Sequence, residues 1–180
     1  MSSPLLLLAL VCAVQPPAVA ATVRHAGWDN KCLGIAATAA VVVTVALTGL
    51  ADPILSGIDV TPPTFRLAAS VVLGVWGARW LVLPAVPVRP TDHEPGLAEH
   101  ALAASLLLTP ALVLVAMAGG TEHGVVLAGA WVLLAVAATL AAQTLAPRTP
   151  PWALRAATMA LGAIAIVIAI SSGIDAARTV

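Results

Sequence analysis

Two proline-containing segments bring polar side chains into long apolar runs of this 180-residue chain: Gln15-Pro16-Pro17 and Thr109-Pro110. A proline inside a helix removes one backbone hydrogen bond and clashes with the carbonyl four residues earlier. In lipid, the freed backbone groups must be satisfied by protein or must line a cavity. The chemistry expected at both places is hydrogen bonding by amide, hydroxyl and backbone groups, which suits an uncharged or zwitterionic ligand.

Two interpretations of these breaks are open. In the simpler one, the prolines only kink their helices, and Gln15 and Thr109 cap the interrupted hydrogen-bond ladder. In the functional one, the breaks bind a substrate, and the binding residues are Gln15, Pro16, Pro17, Thr109 and Pro110. A single proline would favour the simpler interpretation, but the equivalent positions of the breaks in the two halves of the chain leave the two interpretations equally open.

Two arginines are candidates for gating. Arg66 and Arg155 lie at the first turns of the third and sixth apolar runs. The simpler expectation is that each snorkels to the membrane interface or pairs with a nearby acid. The alternative is that Arg66 forms a gating ion pair with Asp52 or Asp59.

No catalytic or cofactor motif is recognisable. His25, His93 and His100 are near acidic residues, but their spacing matches no helical metal-ligand pair. No carboxylate lies within an apolar run, which argues against a proton relay. The expectation is a protein that is not an enzyme, with no cofactor and no metal.

The composition indicates an integral membrane protein. The chain is 61% hydrophobic and 9% charged, with a mean hydropathy of +1.04, whereas soluble domains have about 25% charged residues. Eight basic residues balance eight acidic ones, so there is no basic face for nucleic acid. Six runs have the length of a membrane-spanning helix: 4–23, 33–51, 66–86, 100–118, 124–146 and 153–174.

The distribution of basic residues predicts the orientation, because cytoplasmic loops are enriched in Lys and Arg. With both termini outside, the basic residues on the inner side are Arg24, Lys31, Arg79, Arg89, Arg148 and Arg155. We therefore expect a multi-pass protein of the plasma membrane. Residues 1–20 also resemble a signal peptide, but no basic residue precedes their apolar run, so we expect them to be retained.

An internal duplication organises the chain. Residues 61–74 (TPPTFRLAASVVLG) and 149–162 (TPPWALRAATMALG) are identical at seven of fourteen positions. Three helices per half is an odd number, so the second half must be inverted in the membrane. The expected fold is all-α, with six transmembrane helices as two inverted three-helix repeats, 1–86 and 97–180, joined by a cytoplasmic linker, 87–96.

Several stretches resemble the MarC family, small multi-spanning bacterial membrane proteins related to neutral amino acid transporters. The segment GIDVTPPTFRLAASVVLGVWGARWL at 57–81 is similar to the family's G-I-S-x-P-A-F-R-I-A-G-G stretch, and Ser172-Gly173-Ile174 resembles its closing D-G-I. The family's D-P-I-G-N-x-P is replaced here by Gln15-Pro16-Pro17-Ala18-Val19, and its G-P-G by Thr109-Pro110-Ala111. The prolines match the family and their neighbours do not.

The resemblance implies a permease or exporter of a small neutral solute, such as an amino acid, in the bacterial inner membrane. Alternating access between the two halves would take place around the two breaks. The alternative is a non-transporting membrane subunit or scaffold that keeps the fold without the site. The expected partners are the lipid bilayer and the solute, and association as a homo-oligomer or within a membrane complex stays open.

Overall fold

Nine α-helices form the part of the chain that the structure, a computed structural model, describes: residues 3–26, 28–83, 97–145 and 148–179. They are α1 (Ser3–Val14), α2 (Pro16–Ala26), α3 (Asn30–Gly49), α4 (Ala51–Gly57), α5 (Pro62–Val82), α6 (Leu97–Leu107), α7 (Pro110–His123), α8 (Val125–Leu145) and α9 (Pro151–Ala177). The all-α prediction is confirmed over these ranges.

Both proline segments interrupt a helix. α1 ends at Val14 and α2 begins at Pro16, and α6 ends at Leu107 and α7 begins at Pro110. Proline is favoured in the first turn of a helix because its missing N–H has no intrahelical partner there. The prolines therefore begin α2 and α7, and a break of one or two residues precedes each.

Five helical stretches are long and apolar enough to cross a membrane, judged by length and composition: Ser3–Arg24, Lys31–Gly49, Pro62–Val82, Val125–Leu145 and Pro151–Ala177. Spans of this kind were predicted at these places. The sixth predicted span, 100–118, corresponds to α6 and α7, which are individually too short to be counted. That span stays a prediction.

The first stretch is the centre of the bundle. About two thirds (67%) of its apolar window is buried, against 22–39% in the other four candidate spans. Those outer helices expose large aliphatic side chains, and Val75 and Val126 are 66% and 89% exposed. An apolar exterior of this kind is suited to lipid.

The contacts define two ends of the bundle. Arg66 at the start of α5 pairs with Glu122 at the end of α7, and Gly49 lies beside Val125. Because the acids Asp52, Asp59, Glu122 and Asp175 belong to helix ends on this side, we call it the acidic end. We call the opposite end, where Arg24, Arg79 and Arg155 lie, the basic end. There the guanidinium of Arg24 donates a hydrogen bond to the carbonyl of Thr149 at 3.3 Å.

Helices α5 and α9, which contain the duplicated motif, pack closely and antiparallel. A Cβ atom added at Gly77 would lie 2.6 Å from the carbonyl oxygen of Gly162, and one added at Gly162 would lie 2.8 Å from that of Gly77. About one turn earlier in α5, Gly74 faces Ala169. Small residues at a crossing allow close backbone approach, which is how apolar helices associate in lipid.

The division of the chain into two halves stays a prediction. Residues 87–96, the predicted linker, lie outside the described residues, as does His93. In the described part, α3 contacts both α6 and α7, and α8 contacts both α1 and α2. Each of these two long helices thus lies against a pair of helices separated by a proline break.

Candidate functional site

The carbonyl oxygen of Ala13 connects the two breaks. In an unbroken helix this oxygen would accept from the N–H of residue 17, but residue 17 is a proline. Instead it accepts hydrogen bonds from the Oγ1 hydroxyl of Thr109 at 3.1 Å and from the indole Nε1–H of Trp76 at 2.9 Å. A backbone acceptor freed by the first break is therefore satisfied by the second break and by α5.

Thr109 also begins α7. Its backbone is extended (φ −79°, ψ 148°), and its Oγ1 accepts a hydrogen bond from the N–H of Leu112 at 3.0 Å, as an N-cap residue does. The same hydroxyl donates its proton to Ala13. Thr109 is 2% exposed, so both bonds lie inside the bundle, shielded from competition by water.

Gln15 is the most unusual residue of the bundle. It has a left-handed backbone (φ 57°), which costs a residue with a side chain about 1–3 kcal/mol. Its side chain is 0% exposed, and neither Oε1 nor Nε2 has a hydrogen-bond partner among the described residues. Its carbonyl accepts from Ala18 and Val19 and so begins α2. Buried polar groups are nearly always paired, so an unpaired amide beside a strained break is a feature of functional sites.

The structure brings together the predicted binding residues through this geometry. Pro16 and Pro17 open α2, and Pro110 opens α7. The sequence analysis did not identify Trp76 as part of this arrangement. A signal for it was available in principle: two consecutive prolines free two carbonyls, and a buried indole needs an acceptor.

Arg66 is paired, but with a different acid from those considered from the sequence. Its Nη1 donates to the Glu122 carboxylate, rather than to Asp52 or Asp59. Burial would raise the pKa of Glu122, but the positive groups beside it, Arg66 among them, hold the pKa below its ordinary value. The carboxylate therefore stays charged at neutral pH and can hold α5 against α7.

A small cavity of about 20 Å³ lies beneath this pair, lined by Arg66, Ser70 and Ser172 among others. Its volume is enough for about one water molecule. Arg155, the other gating candidate, is exposed near the start of α9 at the basic end. Arg66 and Arg155 are each the fifth residue of their helix, since α5 begins at Pro62 and α9 at Pro151.

No group of three or more potential metal ligands occurs within the described residues. Comparison with models of protein families, with curated proteins and with solved structures finds no match for the chain. The fold and the site thus define a class only: a helical protein whose outer helices suit a lipid environment, with two facing helix breaks buried at its centre.

Proposed function

We propose that this protein is a membrane permease or exporter of a small neutral solute, with MarC-like architecture and alternating access. The solute would be bound where the two helix breaks meet, between Gln15 and Thr109. Pro16, Pro17 and Pro110 would keep the backbone open there. Six crossings are proposed, with α6 and α7 forming the fourth crossing in two pieces.

The observation that carries this proposal is the buried amide of Gln15. A fully enclosed side chain whose donor and acceptor groups are both unpaired lowers the stability of the fold by about 1–3 kcal/mol for each unsatisfied group. An uncharged solute with a complementary donor and acceptor would recover it. Hydrogen bonding of this kind at interrupted helices near the midplane is how many secondary transporters bind their substrates.

The reciprocal packing of the two halves supports an inverted repeat. α3 contacts α6 and α7 as α8 contacts α1 and α2, and α5 contacts α7 as α9 contacts α2. The third long helices, α5 and α9, are antiparallel, as inversion requires. An inverted pair of this kind is the usual basis for rocking between inward-open and outward-open states.

The second candidate is a non-transporting membrane subunit or scaffold. One observation favours it: the carbonyl of Ala13 is already satisfied by Thr109 and Trp76. The breaks are therefore partly closed by internal bonds, as a purely structural kink would be. In that case Gln15 would be dispensable, and the protein would purify with a stoichiometric partner.

The test is counterflow of labelled neutral amino acids into proteoliposomes, comparing the wild type with Gln15→Leu. The matched control is Gln143→Leu, which changes the other glutamine of the chain, in the last turn of α8. The proposal predicts uptake by the wild type and by the Gln143 variant, and none above empty liposomes by the Gln15 variant.

Equal uptake by all three proteins would overturn the assignment of the site to Gln15. Absence of uptake by the wild type across a panel of neutral amino acids and small amides would favour the scaffold. A partner that copurifies in a fixed ratio, and remains bound in the Gln15→Leu variant, would establish it.

A further inference from the structure

A second cavity, with mostly apolar walls, lies at the basic end. It has a volume of about 280 Å³, and its walls include Thr22, Trp28, Trp76, Trp80 and Arg79. Three of the five tryptophans of the chain are gathered here. The cavity is large enough for a small organic molecule rather than for a single water.

Two side chains of this cavity, Arg79 and Trp80, offer donors that no described carboxylate accepts. Arg79 makes cation–π contacts with two tryptophans, with its Cζ 5.1 Å from the ring centroid of Trp76 and 5.9 Å from that of Trp80. The rings meet edge to face at 83°. The Nε1–H of Trp80 is buried and has no acceptor among the described residues.

No carboxylate is among the described residues that line the cavity, and no described acid forms an ion pair with Arg79. The ring contacts hold the guanidinium beside the cavity, and a guanidinium can donate two parallel hydrogen bonds from one edge. Such an edge matches the two oxygens of a carboxylate. The indole N–H of Trp80 adds a further donor, and the rings offer apolar walls.

We infer that this cavity is a binding subsite for a small organic carboxylate, held by the guanidinium of Arg79 and the indole N–H of Trp80. This inference rests on the proposed function and adds a substrate class to it: the solute has a carboxylate and an apolar remainder. An amino acid meets both requirements and is zwitterionic, as the proposed neutral solute requires. A simple aliphatic carboxylate shares the carboxylate and the apolar remainder and therefore serves as a probe of the subsite.

Trp76 links the subsite to the helix breaks. One face of its ring lines the cavity, while its Nε1–H donates to the carbonyl of Ala13. A solute seated against Arg79 would therefore rest on the residue that closes the break.

The experiment is direct binding to the purified protein in phosphatidylcholine nanodiscs, read by intrinsic tryptophan fluorescence. The probes are leucine, isovalerate, which lacks the ammonium group, and leucinamide, which lacks the carboxylate. We expect leucine and isovalerate to change the emission saturably and leucinamide not to. Arg79→Gln should weaken both carboxylates roughly tenfold or more, since it removes a charge-assisted pair.

Two further variants keep the test independent of folding. Arg79→Lys retains the positive charge but not the two parallel N–H donors, so this variant should bind the carboxylates with intermediate affinity. Arg148→Gln makes the same charge change at an exposed position of the same end, and should bind as the wild type does. Circular dichroism establishes that each variant is helical before binding is compared.

Binding of leucinamide equal to that of leucine, unchanged binding by Arg79→Gln, or no binding of any probe would each overturn the inference. So would a phosphatidylglycerol molecule that displaces the carboxylates and is lost in Arg79→Gln by native mass spectrometry, because the ligand would then be a lipid phosphate. Saturable binding without counterflow would support the subsite and contradict the transport proposal, so the two can fail separately.

Discussion

The hydroxyl of Thr109 donates a hydrogen bond to the carbonyl oxygen of Ala13 at 3.1 Å, which joins two helix breaks 96 residues apart in the chain. The acceptor exists because Pro17 cannot donate to it, and the donor is available because Pro110 begins a new helix. The indole of Trp76 completes the arrangement from α5. Three elements thus meet at one backbone oxygen, so a movement of any of them changes the other two.

Replacing Thr109 tests this connection. Thr109→Val keeps the shape but removes both the hydrogen bond to Ala13 and the cap on Leu112. We expect a loss of about 1–3 kcal/mol in the free energy of unfolding, measured by denaturation in mild detergent. Thr109→Ser, which keeps the hydroxyl, should lose much less.

The control is Thr38→Val on α3, where an exposed threonine hydroxyl donates only to the carbonyl of Gly34 within its own helix. It should change stability by under about 0.5 kcal/mol. A Thr109→Val variant as stable as the wild type would mean that the bond between the breaks contributes nothing to the fold.

The crossing of α5 and α9 depends on the absence of side chains at Gly77 and Gly162. A methyl group at Gly77 would meet a backbone oxygen at 2.6 Å, and a backbone atom of a packed helix cannot rotate away. We expect Gly77→Ala and Gly162→Ala each to destabilise the protein by about 1–3 kcal/mol through overpacking. Thermal unfolding in detergent measures this.

Gly34→Ala on α3 is the matched control, because a Cβ atom added there meets nothing within 4 Å. Alanine favours a helix over glycine by up to about 1 kcal/mol, so this variant should be as stable as the wild type or more so. Tolerance of alanine at both Gly77 and Gly162 would contradict the close approach of the two helices.

The pair of Arg66 and Glu122 is expected to close the acidic end. In a background with Cys12 and Cys32 replaced by alanine, Ser172→Cys places a thiol in the small cavity beneath the pair. Glu122→Gln removes the charge that holds Arg66. We expect a membrane-impermeant maleimide to label this thiol about tenfold faster in the Glu122 variant, as loss of a charge-assisted bond allows.

Asp175→Asn is the control for charge, because Asp175 is an exposed acid at the same end. It should leave the labelling rate unchanged. Equal labelling rates with and without the Glu122 change would show that the pair does not control access to the cavity.

The positions of the two breaks and the all-helical class follow from the sequence, because proline chemistry and continuous apolar runs act locally. The positions of Arg66 and Arg155 near the starts of their helices also follow from the sequence, because α5 and α9 both begin at prolines. Local rules were sufficient wherever a residue's role depends on its own neighbours in the chain.

The partners of these residues did not follow from the sequence, because they depend on how helices distant in the chain pack. Trp76 reaches α1 across 63 residues, and Arg66 reaches Glu122 across 56. The contact of Arg79 with Trp76 follows helical spacing, but the cavity around it also requires α2 and α6. Identifying these contacts requires the packing of the whole bundle.

The crossing made by α6 and α7 can be tested through the two chain ends. Leu6 packs on Gly119 near the end of α7, and Gly173 lies beside Leu67, so both ends of the chain lie toward the acidic end. If α6 and α7 cross the membrane together, tags at the two termini are on the same side. The excess of basic residues at the opposite end predicts that this side is the outside.

We expect impermeant antibodies to reach both tags on intact cells, and an impermeant maleimide to label Trp152→Cys, at the basic end, only after permeabilisation. That labelling uses the background without Cys12 and Cys32. Mass spectrometry of the purified chain checks that residues 1–20 are retained, so that loss of the first tag is not mistaken for an inside location. Tags on opposite sides would leave five crossings, with α6 and α7 failing to span. The halves could not then be related by inversion, and the proposed alternating access would lose its structural basis.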